Sequence, residues 1–140
     1  MKKDSTAYAA VIPTYDKSDC SVRALAVATG CTYQQSSAIF SAAGRKLKKG
    51  TFVETSLKVY VEWLGCEELK VREWPLAGFI AAYPKGRFIL HRKGHAFAVI
   101  DGVLHDWAGG KTWQGSLLTH GYEVTEKAIL KMERIKGMFE

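Results

Sequence analysis

Three residue types that together perform acyl transfer occur in this chain in a usable order. Cysteine chemistry on a carbonyl needs a thiolate, a base that takes up and returns a proton, and a third polar group that fixes the imidazole. Cys20, His95 and Asp106 supply a thiol, an imidazole and a carboxylate. Cys20 opens an apolar-rich segment directly after Ser18 and Asp19, either of which can act as the N-cap of a helix. At a helix start the unsatisfied N–H groups and the positive end of the dipole favour a thiolate. The N–H of Cys20 itself can also face an oxyanion.

The other two members depend on a hairpin. Asp101-Gly102 between apolar runs is a strong signal for a two-residue turn, which pairs Ile100 with Val103 and, counting outward, Phe97 with Asp106. His95 shares a face with Phe97, so Asp106 becomes its diagonal cross-strand neighbour at roughly 7 to 8 Å between backbones, within side-chain reach. A register shifted by one residue sends the two side chains to opposite faces, and the arrangement fails.

The elements that must carry these residues can be read from capping and periodicity. Residues 20–29 form a first helix closed by Gly30. Thr32 and Gln35 make a capping box for a second helix over residues 33–43, before Gly44. Val53, Leu57, Val61 and Leu64 recur at helical spacing up to Gly65 and define a third, amphipathic helix. Pro75 suits the first turn of a short fourth helix through Leu76, Phe79 and Ile80, ended by Pro84. The period then changes to that of strands over residues 87–91, 95–100 and 103–106, with Gly109-Gly110 ending the stretch. Residues 122–124 and 129–135 read as edge strands, although Lys, Met and Glu in the second also suit a helix. Helices first and antiparallel sheet second is an α+β arrangement.

Composition fits this reading. A 140-residue chain with 47% hydrophobic residues buries one core, so residues 1–140 are read as one domain. Its longest apolar runs, 24–28 and 76–83, fall short of the roughly 20 residues that span a bilayer, and the N-terminus lacks the apolar core of a signal peptide. A cytoplasmic protein without a membrane partner is expected. Three cysteines without a C-x-x-C pair support neither a disulfide framework nor a zinc site, so no metal is expected. No phosphate-binding glycine loop or H-E-x-x-H helix is present, and the proposed chemistry needs no cofactor.

The net charge of +6 either keeps the chain soluble or serves an anionic partner. Arg45, Lys46, Lys48, Lys49, Lys85, Arg87, Arg92 and Lys93 would form a basic rim for nucleic acid, but solvated loops are the favoured reading. Cys31 and Cys66 read as inert core. His91, His105 and His120 read as structural or surface residues, with His105 facing away from Asp106. Trp107 and Trp113 either line a substrate cleft or cover the sheet. Asp19, beside the nucleophile, is a further cleft residue.

The segment Asp19-Cys20-Ser21-Val22-Arg23-Ala24-Leu25, followed by Gly94-His95-Ala96-Phe97-Ala98-Val99-Ile100-Asp101-Gly102 and Asp106, resembles papain-like cysteine peptidases. It is most similar to the bacteriocin leader-processing subgroup and to small phage-encoded members of that superfamily. The resemblance implies a papain-like fold, a Cys, His, Asp triad acting through an acyl-enzyme on a peptide or protein substrate, and for a phage protein the host cytoplasm. The bond is an amide, an isopeptide or a thioester, or the reaction is a transglutaminase-like transfer. One departure stands out. The family's oxyanion glutamine, five or six residues before the cysteine, falls here at Tyr15 or Thr14. Thr14 or Ser18 is left as the replacement donor, and loss of one such donor costs about 10²- to 10³-fold in rate. The alternative is a weakly active or inactive scaffold that binds a host protein or nucleic acid.

Overall fold

The computed structural model describes residues 2–3, 19–46, 49–106 and 112–139. Thr14, Ser18, Lys48, Trp107 and the Gly109-Gly110 pair lie outside the described residues.

Among the described residues, five α-helices and six strands form an α+β fold: β1 (Lys2–Lys3), α1 (Cys20–Thr29), α2 (Tyr33–Ala42), α3 (Val53–Leu57), β2 (Glu67–Leu69), α4 (Leu76–Ala82), β3 (Arg87–Arg92), β4 (His95–Ile100), β5 (Val103–His105), β6 (Leu118–Glu123) and α5 (Glu126–Ile135). The sheet runs β1-β5-β4-β3-β6-β2 and is antiparallel except where β1 adds alongside β5. Each face of the sheet is covered, because the strands are apolar on both sides. Ile89, Ala96, Ala98 and Tyr122 pack under α1, α2 and α5, whereas Phe88, Leu90, Phe97 and Val99 pack with Leu76 and Phe79 of α4.

The two N-terminal helices follow their caps. Gly30 closes α1 in the left-handed conformation at φ 81°, donating its N–H to the Ala26 carbonyl. At α2, Gln35 N–H donates to the Thr32 hydroxyl at 3.0 Å and Thr32 N–H donates to the Gln35 side chain at 2.9 Å, so both halves of the capping box are made. Ala24 and Ala28 of α1 and Ala96 and Ala98 of β4 are all fully or almost fully buried. With side chains this small, the helix lies close to the strand.

The third helix departs from the even helical period. After Leu57 the chain widens into a π-helical stretch, Lys58–Trp63, in which Leu64 N–H bonds the Val59 carbonyl at 3.2 Å. The wide turn rotates the inward face, so Ser56, Val59, Tyr60 and Leu64 are buried, while Val53 is 46% exposed. Tyr60 is the anchor: its ring packs against Phe40 and Tyr122 at centroid distances of 5.9 and 4.9 Å, and its hydroxyl approaches the Ser21 carbonyl at 3.5 Å.

The C-terminal edge strand expected over residues 129–135 is a helix instead. Thr125 caps α5 by accepting the Ala128 N–H at 3.3 Å, and Ala128 and Met132, one turn apart, are its buried residues. Burial at every fourth position suits a helix laid on the helical layer and does not suit a strand, which buries alternate positions. Of residues 122–124, expected as an edge strand, Tyr122 and Glu123 end the longer β6, which lies inside the sheet between β3 and β2, and Val124 falls just beyond it. Thr125→Ala removes the one side-chain cap of α5, and a loss of about 1 kcal/mol is expected. Urea unfolding checks this as a lower midpoint with an unchanged slope.

Candidate active site

The β4–β5 hairpin has the expected register: Ile100 pairs with Val103, Val99 with Leu104 and Ala98 with His105. Asp101 at φ 49° and Gly102 at φ 77° form its turn, with both central residues in the left-handed region. One further step places Asp106 opposite Phe97. His95 Nε2 meets Asp106 Oδ1 at 2.6 Å, a charge-assisted distance, with His95 9% and Asp106 1% exposed. The carboxylate accepts this bond, so Nε2 carries the proton and Nδ1 is the ring nitrogen left to face a thiol.

Cys20 arrives from the other layer, as the first residue of α1. Its sulfur accepts the Ala96 N–H at 3.4 Å, and His95 is near enough to act on its protonation. The Ala96 contact has a simple origin. Ile100/Val103 and Ala98/His105 are the bonded pairs of the ladder, and β5 ends at His105, so the next N–H outward on that side is released to the sulfur. Cys20, His95 and Asp106 are thus brought together from two helix–sheet layers.

The electrostatics favour a charged pair. Burial pushes the Cys20 thiol up, but hydrogen bonds from His95 and from the Ala96 N–H outweigh it and leave the thiol below its ordinary value. Burial pushes His95 down, yet the hydrogen bonds to Asp106 and Cys20 raise it to about 9. Both shifts run in the direction that favours thiolate with imidazolium over the neutral pair. The other thiols behave oppositely: both are buried, and burial raises Cys31 and takes Cys66 up to about 12. All three cysteines are free.

Asp19 is held inside the protein and does not open to a cleft. It is 2% exposed, accepts Arg23 Nε at 2.7 Å on one oxygen and the Tyr33 hydroxyl at 2.6 Å on the other. As N-cap residue it makes no side-chain cap bond. It fixes the start of α1, and with it Cys20, through a charge that Arg23 balances. The four-residue spacing of Asp19 and Arg23 is legible as a helical pair. Tyr33 carries no such signal.

Of the other expected residues, Thr14, Ser18 and Trp107 fall outside the described residues. Trp113 is 66% exposed, its indole lying so close over Gly115 that an added Cβ there would sit 2.6 Å from the ring. The chain returns past the site through Arg92, which donates from Nε to the Thr112 hydroxyl at 2.9 Å. The basic rim is thinned by such roles, because Arg45 is buried and Arg87 donates to the Ala28 carbonyl at 3.2 Å. His91 lies next to the site, directly opposite Ala96, with its ring against Tyr60, Tyr122 and His120. Burial takes it down to about 4, so it stays neutral beside the charged His95.

Among the described residues, no group of three or more His, Cys, Asp or Glu is placed to hold a metal, and no helix is long and apolar enough to cross a membrane. No family model, curated protein or solved structure matches the chain.

Alkylation of the folded protein with iodoacetamide, read by peptide mass spectrometry across pH 5 to 9, is expected to modify Cys20 ahead of Cys31 and Cys66. Its midpoint should lie below the thiol value of about 8.5. In His95→Ala only desolvation and the backbone bonds remain, so the midpoint moves above that of the parent. Equal reactivity of all three thiols would contradict this electrostatic account.

Proposed function

We propose that the chain is a papain-like cysteine hydrolase that opens an amide, isopeptide or thioester bond through an acyl-enzyme. The single observation that carries this reading is the 2.6 Å bond from His95 Nε2 to Asp106, with the Cys20 sulfur on the N–H of the adjacent Ala96. A core cysteine has no use for a buried carboxylate behind a histidine, whereas an acyl-transfer nucleophile does.

In this mechanism the Cys20 thiolate attacks the carbonyl carbon, and the C–S bond forms as the carbonyl π pair moves onto oxygen. His95 then passes its Nδ1 proton to the leaving nitrogen or sulfur, the C–N or C–S bond of the substrate breaks, and a thioester to Cys20 remains. His95, now neutral, takes a proton from water, the hydroxide adds to the thioester carbon, and the thiolate leaves. Asp106 holds the ring so that Nδ1 faces the sulfur in each step. The N–H of Cys20 at the start of α1 is the backbone donor suited to the oxyanion.

Incubation with an activated ester such as p-nitrophenyl acetate tests the reading. It should give a burst of p-nitrophenol and an acetyl group on Cys20 detectable by intact mass. Cys20→Ala abolishes the burst, and His95→Ala lowers turnover by about 10²- to 10⁴-fold, the usual contribution of a general acid–base. A scaffold that only binds a partner gives no Cys20 adduct with any acyl donor.

Amide turnover needs thiolate and imidazolium together, so its pH profile is a bell. The acid limb follows the lowered Cys20 and the alkaline limb lies near 9, where His95 loses its proton. Asp106→Asn keeps the shape but removes the charge that holds the proton, and the alkaline limb should move to lower pH. An unmoved limb would separate Asp106 from the chemistry.

A further inference from the structure

Resting on the hydrolase reading, we propose that the groove where β2 meets β6 is a substrate subsite for a carboxylate, three to four extended residues from Cys20. The groove holds about 520 Å³ and is lined by Lys70, Arg72, Thr119 and His120, with Glu68 as its acid. Neither Lys70 nor Arg72 is ion-paired among the described residues. Glu73 follows Arg72 in the chain but does not line the groove.

The sheet itself joins this groove to the nucleophile. Ala96, which holds the Cys20 sulfur, lies opposite His91 on β3, and His91 lies opposite His120 on β6. Leu69 pairs with Gly121, so one more step along the ladder sets Lys70 level with His120. Strands lie about 4.8 Å apart, which makes this row about 10 Å from Ala96 to His120 and about 14 Å to the level of Lys70. An extended peptide rises about 3.3 Å per residue, so three to four residues bridge the distance. The β2–β6 ladder is acidic at its far end, where Glu67 pairs with Glu123, and basic at the end nearer Cys20.

His120 and Thr119 are oriented by their neighbours. The Thr119 hydroxyl donates its one proton to the His91 carbonyl at 3.2 Å and therefore accepts from His120 Nδ1 at 3.0 Å. Nε2 of the neutral ring is then an acceptor, suited to a backbone N–H of the bound peptide and not to its carboxylate. The two cations, Lys70 and Arg72, are the groove's donors for a carboxylate, and they suit an acidic side chain better than a neutral one.

The test uses the Cys20→Ala protein, titrated with the blocked peptide Ac-Glu-Glu-Glu-Glu-NH₂ and with its all-glutamine counterpart, followed by backbone amide NMR and calorimetry. The acidic peptide should bind at least tenfold more tightly, shift the amides of residues 68–72 and 119–120, and weaken as salt is raised. A Lys70→Ser/Arg72→Ser double variant should erase the difference, while Lys127→Ser/Arg134→Ser on α5 leaves it in place. Equal binding of the two peptides, or equal loss in both double variants, would overturn the proposal. Inorganic phosphate displacing the peptide at matching concentration would assign the groove to phosphate and overturn the carboxylate.

Alkylation of Cys20 separates this inference from the one beneath it. A reactive Cys20 with no peptide binding removes the subsite and leaves the hydrolase. Peptide binding with an inert Cys20 removes the hydrolase and makes the groove the carboxylate site of a binding protein.

Discussion

The turn at Asp101-Gly102 fixes which residues of two strands face each other, and the site depends on that registration. Both residues occupy left-handed backbone, which twists the chain as a tight hairpin requires. Asp101 is further tied to Gly86, accepting its N–H on the side chain at 2.9 Å and donating its own N–H to the Gly86 carbonyl at 2.8 Å. The turn is thereby locked to the start of β3. From it the ladder counts outward without a bulge, and Asp106 falls beside His95 instead of behind the sheet. A side-chain period of two leaves no intermediate outcome.

The second constraint is the closeness of α1 to β4. Alanines on both surfaces let the helix settle near the strand, and the first residue of the helix then meets the first free N–H of the strand. Asp19, Arg23 and Tyr33 hold the start of the helix, and Tyr60 buttresses it from the π-helical segment. These contacts set where the sulfur sits relative to an imidazole that belongs to a different layer.

Local chemistry was legible in the sequence where it is decided by neighbours in the chain. The Thr32–Gln35 box, the stop at Gly30, the hairpin register and the order of helices before sheet all follow from short-range rules, and the meeting of His95 with Asp106 follows from the register alone. What escaped is decided at a distance. The inward turn of Tyr60 depends on a π-helical widening that the even spacing of Val53, Leu57 and Val61 does not announce. Residues 129–135 read as an edge strand although their Lys, Met and Glu also suit a helix, and the tertiary surface that buries Ala128 and Met132 selects the period. Asp19 looked like a cleft residue from its place beside Cys20, but Tyr33, 14 residues on, claims its second oxygen. The row from Ala96 through His91 to His120 crosses three strands and exists only once they are paired.

The sulfur and the imidazole belong to different packed bodies: Cys20 rides on the helical core under one face of the sheet, and Phe97, on which the His95 ring stacks at 6.0 Å, belongs to the core on the other face. Cooperative units of a protein open separately, at free energies below that of global unfolding. A slight lift of α1 from β4 therefore breaks the Ala96 contact and parts the thiolate from its counter-ion while every strand pair survives. On the proposed hydrolase reading, chemical competence is a property of the seam between two sub-structures, and it is lost before the architecture is.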